Sequence, residues 1–480
     1  MPKVTKVEEF LFILLKREAK LSINSRHFSS LGTLAHFITV SFGAAAPLFS
    51  DSRGKRYQPH LFFWKGGKII AYRYFICLLI FLCYVLVFFH RLCPAVIALD
   101  IQSSFGISGT LLGLLGSAYF YSYAFMQLPT GLMADSWGPR KTVSVFFVLA
   151  GIGSILMGLS SNLALAILGR ILVGLGVSTV FVCNFKLLSE WFSVRQFVIM
   201  GGVFMTMGGV GALISSAPLA WVSNIFGWRM TLVAVGGVTL LMAVFVYVFV
   251  RNRPSDMGLP SVRKDHDSTE RQIGLMKGLS MVVSSARFWT IAIWAFCAVG
   301  LSFALGGLWG GPYLMQVYGL SKTAAGGVLS TFALALVIGS PVLSWLANRF
   351  GRKPVLMGCS VSLLAVSGIM TWFVDRMSVP VLYVLFFGFF LSGGAVGQVI
   401  ATVAKESFPI AISGTSVGMV NIFPFIGAAV FQVLMGAVLS AGSYGEMIYA
   451  VSGFRNIFLI CLAGALVSLV VAFFLRETLE

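Results

Sequence analysis

The chain has 480 residues, 58% of them hydrophobic and 10% charged, with a mean hydropathy of +0.93. A soluble globular domain has about a quarter of its residues charged, so that class is excluded and an integral membrane protein remains. The formal charge of +18 does not point to nucleic acid, because Lys and Arg punctuate apolar runs and form neither one face nor one tail.

Residues 1–70 differ from the rest. Twelve of the 34 Lys and Arg fall at or before Arg73, and the apolar run through Phe37 to Leu48 is too short for a bilayer. The stretch is expected to be a cytoplasmic extension without a fold of its own. Within it, Val7 to Leu21 suits a short interfacial helix, with Phe10, Leu11, Leu14 and Leu15 facing away from Lys16, Arg17 and Lys20.

From Tyr74 onward, apolar stretches of spanning length follow one another. They are predicted near 74–100, 108–134, 141–160, 163–186, 196–222, 229–251, 287–316, 321–347, 353–373, 380–404, 412–440 and 447–475. The predicted fold class is therefore an all-α membrane protein, with twelve transmembrane helices in two pseudo-symmetric six-helix bundles. The first bundle is 71–251 and the second 287–480. A polar cytoplasmic linker, 252–286, joins them. Seven cysteines (Cys77, Cys83, Cys93, Cys183, Cys297, Cys359 and Cys461) lie in apolar segments with no CxxC pair, so they read as small buried hydrophobes, and neither a metal site nor a cofactor is expected.

Topology follows from the loops. With the 131–141 turn inside, sixteen Lys and Arg after Arg73 fall on the cytoplasmic side and four (Arg229, Lys322, Arg376 and Arg455) on the other. Both termini are then cytoplasmic, and the expected location is a bacterial inner membrane.

The turn itself reads Gly131-Leu-Met-Ala-Asp135-Ser-Trp-Gly138-Pro-Arg140-Lys141, and it recurs as Ser344-Trp-Leu-Ala-Asn348-Arg349-Phe-Gly351-Arg352-Lys353. Asp135 and Asn348 are 213 residues apart. The same offset relates Phe105-Gly-Ile-Ser108 to Tyr318-Gly-Leu-Ser321, so the chain is internally duplicated in parallel. Asp135 sits where a helix meets water and is able to accept from a helix N-terminus or pair with a base, while Arg140 and Lys141 suit anionic lipid or a helix C-terminus. Such a network latches one state of two rocking halves; the alternative is a plain topology anchor. Because Asn348 carries no charge, the latch is expected to be stronger in the first half. Lys186 and Glu190, at i and i+4, are expected to pair with each other.

On these residues the chain resembles the major facilitator superfamily over about residues 74–476. The carriers of the resemblance are the Gly131 to Lys141 motif, its echo through Arg352, and Arg170-Ile-Leu-Val-Gly174-Leu-Gly176 in the fourth span. The resemblance implies that Arg170 helps couple cargo or ion movement to conformational change. The Gly-Pro antiporter signature is not matched at Gly208-Gly209-Val-Gly211-Ala212.

Ionisable groups inside a span are costly and are functional candidates by default. His90 and Arg91 lie about 17 residues along the first span. A guanidinium suits a carboxylate or phosphate, so Arg91 is the lead substrate residue, and an arginine there resembles the phosphate-ester and organic-anion branches of the superfamily. The phosphate-ester branch has a second arginine in the seventh span, where this chain has none, which favours a carboxylate or zwitterion. His90 is the candidate proton carrier, since no Asp or Glu lies mid-span; the alternative is a structural histidine. Tyr119, Tyr123 and Gln127 form an i, i+4, i+8 polar stripe expected to face cargo, as are Trp309 and Tyr313 in the seventh span and Gln398 and Asn421 beyond. Interhelical hydrogen bonding explains any single one of them equally well.

The expected function is a transporter of a small organic anion or zwitterion by alternating access, with Asp135, Arg140, Arg170, Asn348, Arg352 and His90 in coupling or gating. The expected partners are the cargo, H+ as coupling ion and membrane lipids, with no nucleic acid, and the expected state is a monomer. The alternatives are an efflux transporter of apolar or cationic compounds and a nutrient sensor without turnover. No metal cluster, nucleophile–base pair or phosphate loop favours an enzyme.

Overall fold

The protein is described by a computed structural model covering residues 59–257, 275–409, 412–444 and 448–479. The predicted helix Val7 to Leu21 and most of the predicted extension lie outside these residues. Everything below concerns the compact unit Ile69–Glu480.

Eleven helices among the described residues are long and apolar enough to cross a bilayer. A further helix, Gly109–Ser136, is 28 residues long, but Ser117, Tyr119, Tyr121, Ser122, Tyr123 and Gln127 dilute its apolar character. Counting it as the second, the spans are one, Tyr72–Leu92; two, Gly109–Ser136; three, Gly138–Leu159; four, Leu163–Trp191; five, Arg195–Ile214; six, Ala217–Phe249; seven, Ala286–Val317; eight, Lys322–Phe350; nine, Arg352–Trp372; ten, Val379–Glu406; eleven, Ser413–Ala441; and twelve, Val451–Phe474. The protein is thus an all-α membrane protein, and its one sheet among the described residues is the two-stranded pair Ser443–Tyr444 and Ile448–Tyr449.

The boundaries differ from expectation where backbone chemistry intervenes. Span one stops at Leu92 and resumes as Pro94–Phe105, because Pro94 cannot donate to the turn before it. Span five ends before Pro218, and the helix that follows is interrupted at Gly227, which takes φ +77. Part of the predicted linker is helical, Leu275–Val283, and packs against the start of span eleven. Five-residue π-helical segments, Leu305–Trp309 and Ala335–Gly339, interrupt spans seven and eight.

The duplication is visible in the backbone. Gly106 and Gly319 have φ +60 and +62, and Gly138 and Gly351 have +82 and +103. Each pair is 213 residues apart, as are Ser108 and Ser321, whose hydroxyls cap spans two and eight by accepting from Leu111 N–H and Ala324 N–H.

Spans two and eleven run antiparallel along one seam between the halves. Toward the end opposite the 131–141 turn the seam is tight. A Cβ at Gly113 would lie 2.5 Å from the Gln432 carbonyl oxygen, one at Gly116 would lie 2.6 Å from Gln432 Oε1, and one at Gly109 would lie 2.9 Å from the Tyr449 hydroxyl. Such glycines let helix backbones touch. Thr110 N–H and hydroxyl approach Ser440 Oγ at 2.9 and 3.2 Å, and Lys322 pairs with Asp100 at 2.6 Å across the halves. Toward the turn end Asn421 Nδ2 donates to Gln127 Oε1 across the seam at 3.1 Å. Beyond it, a Cβ on Gly131, Gly414 or Gly418 would meet nothing within 4 Å. The halves are joined at one end and part at the other.

Candidate functional site

The break in span one creates the first half of the site. Without an N–H on Pro94, the His90 carbonyl loses its usual helical donor. Arg170 of span four replaces it, with Nη1 donating to that oxygen at 2.8 Å. The Arg170 guanidinium lies over the Tyr119 ring, 4.9 Å from its centroid, and its Nε and Nη2 have no protein partner. One turn on, Gly174 rests against Ser122 and the Tyr119 backbone of span two, and Gly176 against Phe146 and Ala150 of span three. The motif from Arg170 to Gly176 is therefore a junction of spans one, two, three and four.

His90 and Arg91 diverge, as successive helical residues must. The buried His90 ring faces span six, with Nε2 3.1 Å from the Thr239 hydroxyl. That hydroxyl donates to the Val235 carbonyl at 2.8 Å, so the network assigns the ring proton to Nε2. His90 is thus held inside the first half, away from the seam.

Arg91 points into the seam and is 3% exposed. Its guanidinium carbon lies 4.5 Å from the ring centre of Phe88, 4.9 Å from Tyr123, 5.0 Å from Phe425 and 5.1 Å from Phe303. Those rings belong to spans one, two, eleven and seven, two from each half. They also pack on one another: Tyr123 and Phe425 are 4.2 Å apart, and Phe303 and Phe425 are stacked at 6.0 Å and 10°. Of the nearby phenols, that of Tyr119 is close enough to interact with the same charge through a side-chain hydrogen bond. Neither Arg91 nor Arg170 takes part in an ion pair among the described residues, and Arg91 Nε has no partner. A cation–π contact stabilises by about 0.5–2 kcal/mol. Buried charge costs several kcal/mol per ion unless it is paired. The pocket therefore has an uncompensated demand for negative charge.

The structure brings Tyr119, Tyr123, Gln127 and Asn421 together with Arg91 along spans two and eleven. It does not bring Trp309 and Tyr313 there. Trp309 Nε1 donates to the Gln432 carbonyl at 3.0 Å, and the Tyr313 hydroxyl donates to the Val374 carbonyl at 2.8 Å, with its ring among Phe386, Phe454 and Phe458 of the second half. The π-helical segment Leu305–Trp309 shifts the register of span seven, so Phe303 and Gly307 face span one instead. Gln398 is exposed on span ten, and its carbonyl accepts from the Thr402 hydroxyl.

At the turn end each half has its own network. In the first, Asp135 pairs with Lys186, and Glu190 with Arg253 at 3.8 Å. This corrects the expected Lys186–Glu190 pair, because partners from other elements reach both residues. Arg140 Nε donates to the Tyr247 carbonyl at 2.6 Å, near the C-terminus of span six. In the second half, exposed Asn348 is bypassed. Glu477 accepts from the N–H groups of Arg352 and Lys353 at 2.8 and 3.0 Å, capping span nine, while Arg352 pairs with Glu406 at 3.1 Å. Desolvation pushes the Glu477 carboxyl up, but the N–H groups of Leu479, Arg352, Lys353 and Thr478 outweigh it and hold the group below its ordinary range. The expectation that the second network would be weaker because of Asn348 missed these two acids. Among the described residues, neither network joins a span of one half to a span of the other.

Sequence reasoning missed Phe88, Phe303 and Phe425 around Arg91, since nothing distinguishes three rings among 43 phenylalanines. The Gly109, Gly113 and Gly116 spacing was a readable signal of the tight seam.

A family model for the Major Facilitator Superfamily matches residues 76–431 and 303–480. Similar proteins include the "Probable hexose phosphate transport protein" of Chlamydia trachomatis, 24% identical over 415 residues, 81% of this chain and 88% of that protein. The "Probable galactarate/D-glucarate transporter GudP" of Escherichia coli is 23% identical over 412 residues, 78% and 90% of the two chains. The "Membrane sensor protein UhpC" of Escherichia coli is 25% identical over 401 residues, 79% and 90%. Among solved structures, a bacterial homolog of the human lysosomal transporter Spinster, inward-facing and occupied, superposes with a TM-score of 0.68 at 17% identity, covering 84% of this chain and 96% of that one. A D-xylose–proton symporter gives 0.63 at 16%, covering 85% and 99%. At such identities the structural likeness bears on the fold alone.

Proposed function

The chain belongs to the Major Facilitator Superfamily, and on that premise we propose that it carries a small organic anion or zwitterion by alternating access, with the acidic group of the cargo anchored at Arg91. It is a multi-pass membrane transport protein for small molecules and not an enzyme. The observation that carries the anion reading is the buried Arg91 guanidinium, placed where spans one, two, seven and eleven meet, with aromatic faces but no carboxylate around it. An embedded cation whose Nε has no partner favours an anion and disfavours a cationic cargo. The printed names of two relatives, a hexose phosphate carrier and a galactarate/D-glucarate carrier, support the same class. Arg170 adds a second buried guanidinium beside Tyr119, so a cargo with two negative charges fits better than the sequence implied.

Under the Lys and Arg asymmetry the turn end is cytoplasmic. The open end then faces the cytoplasm, the arrangement is inward-facing, and both termini lie inside, in a bacterial inner membrane, in a monomer. Among the described residues of the spans, His90 is the mid-depth side chain of the type that can carry a proton. Its bond to Thr239, away from Arg91, favours the structural role over H+ transfer in the cargo site.

The likeness to a membrane sensor favours one second reading, a receptor that binds the same anion without moving it. Uptake of radiolabelled D-glucarate and glucose 6-phosphate into proteoliposomes, measured beside binding, separates the two. Binding with uptake that is lost in Arg91→Gln supports the carrier; binding without uptake supports the sensor. Uptake unaffected by Arg91→Gln contradicts the anchor role in both.

A further inference from the structure

Arg91 is held by both halves at once. Phe88 and Tyr123 approach it from the first half, Phe303 and Phe425 from the second, all within 4.5–5.1 Å. With these rings on it, the Arg91 side chain is almost fully covered. Toward the open end, one turn along from Tyr123 and Phe425, Asn421 donates to Gln127 across the seam. An anion that bonds the Arg91 N–H groups therefore has to take the place of a ring.

Resting on the reading of Arg91 as the cargo anchor, we propose that Phe303 and Phe425 are internal competitors of the cargo: they hold the Arg91 cation when the carrier is empty and yield it to the anion when the carrier is loaded. The physical need is plain. A guanidinium in a low-dielectric seam cannot be left bare while the empty halves rock past each other. Ring faces supply negative potential without a counter-charge that would compete too well with cargo. A carboxylate in the same place would form an ion pair and exclude the anion. Because the two rings belong to the other half, exchanging them for cargo also exchanges a direct bond between the halves for one made through the cargo. This links occupancy to the seam.

The test compares wild type, Phe303→Leu, Phe425→Leu and Arg91→Gln, each checked for folding by circular dichroism and size-exclusion chromatography. The binding probes are D-glucarate, glucose 6-phosphate and benzoate, titrated calorimetrically. A probe that binds wild type is expected to bind either ring variant about 2- to 30-fold more tightly, the range of one cation–π contact, and not to bind Arg91→Gln. Equal or weaker binding to the ring variants, with loss in Arg91→Gln, overturns the competition and leaves the anchor standing. Retained binding in Arg91→Gln overturns the anchor itself. A second measurement needs no cargo. In the empty protein, the melting-temperature changes of Phe425→Leu and Arg91→Met are expected to be non-additive, whereas Arg91→Lys, which keeps a cation, preserves the effect of Phe425→Leu. Additive changes in that cycle overturn the cage whatever the probes do.

Discussion

The two ends of the seam between spans two and eleven are built from the same kind of helix and behave oppositely. At one end glycines of span two press on the backbone and side chain of Gln432, and Asp100 and Lys322 pair across the halves. At the other, the glycines of spans two and eleven face open space and, among the described residues, no ion pair joins a span of one half to a span of the other. The tight end is closed by contacts that cross the seam, while the ion pairs at the turns do not bridge the two halves' spans. On the proposed function, such a contrast would let the carrier expose one site to one side at a time.

The strongest way to break the contrast is to overpack the tight end. Gly113→Val puts branched carbons where even a Cβ is 2.5 Å from the Gln432 carbonyl, which should cost about 1–3 kcal/mol and shift the population toward an open far end by roughly ten-fold per 1.4 kcal/mol. Spin-label distances across that end should lengthen, and Gly131→Val, at the open end, should leave them unchanged. Equal effects of the two substitutions contradict the asymmetry. Next comes the ion pair. Asp100→Asn should loosen the same end by about 1 kcal/mol, with the wild-type contact weakened by salt in the same measurement, because both partners are partly solvated.

A smaller effect belongs to the rigid network of the second half. Glu477→Gln replaces an exposed charged acceptor at the N-terminus of span nine and should lower thermal stability by about 0.5 kcal/mol after allowance for solvent screening. The native pKa of Glu477 is held down from its ordinary 4.5. Its stabilisation is therefore full above the unfolded value and is lost as pH falls through the lowered native value. The difference between wild type and Glu477→Gln should shrink on acidification below about 4.5; a difference that grows contradicts the cap. Smallest of all, Asn348→Asp should change stability by less than about 0.5 kcal/mol, since Arg352 is already served by Glu406 and Glu477.

The contrast also explains what was legible in the sequence. Span lengths, the 213-residue repeat and the turn motif could be read because bilayer thickness and helix endings impose them locally. Arg91 stood out because an ionised group in a span is rare and costly. The partners of Arg91 could not be read: Phe303 and Phe425 come from the other half of the chain, and a π-helical segment shifts the register that would have placed Trp309. The break at Pro94 was readable as a lost donor, but its consequence, Arg170 bonding to the His90 carbonyl, needed two spans in contact. Glu477 likewise reaches span nine across 125 residues.

The central claim is that an acidic cargo binds Arg91 at the meeting of the halves. Its most direct test is thermal stabilisation of purified wild type and Arg91→Gln by carboxylates, phosphate esters, amino acids, short peptides and lipophilic cations. At about 100 times its dissociation constant a ligand should stabilise the fold by about 2.7 kcal/mol. The account predicts that an anionic class stabilises wild type and has no effect on folded Arg91→Gln. Stabilisation of both proteins alike, or by lipophilic cations alone, would contradict it.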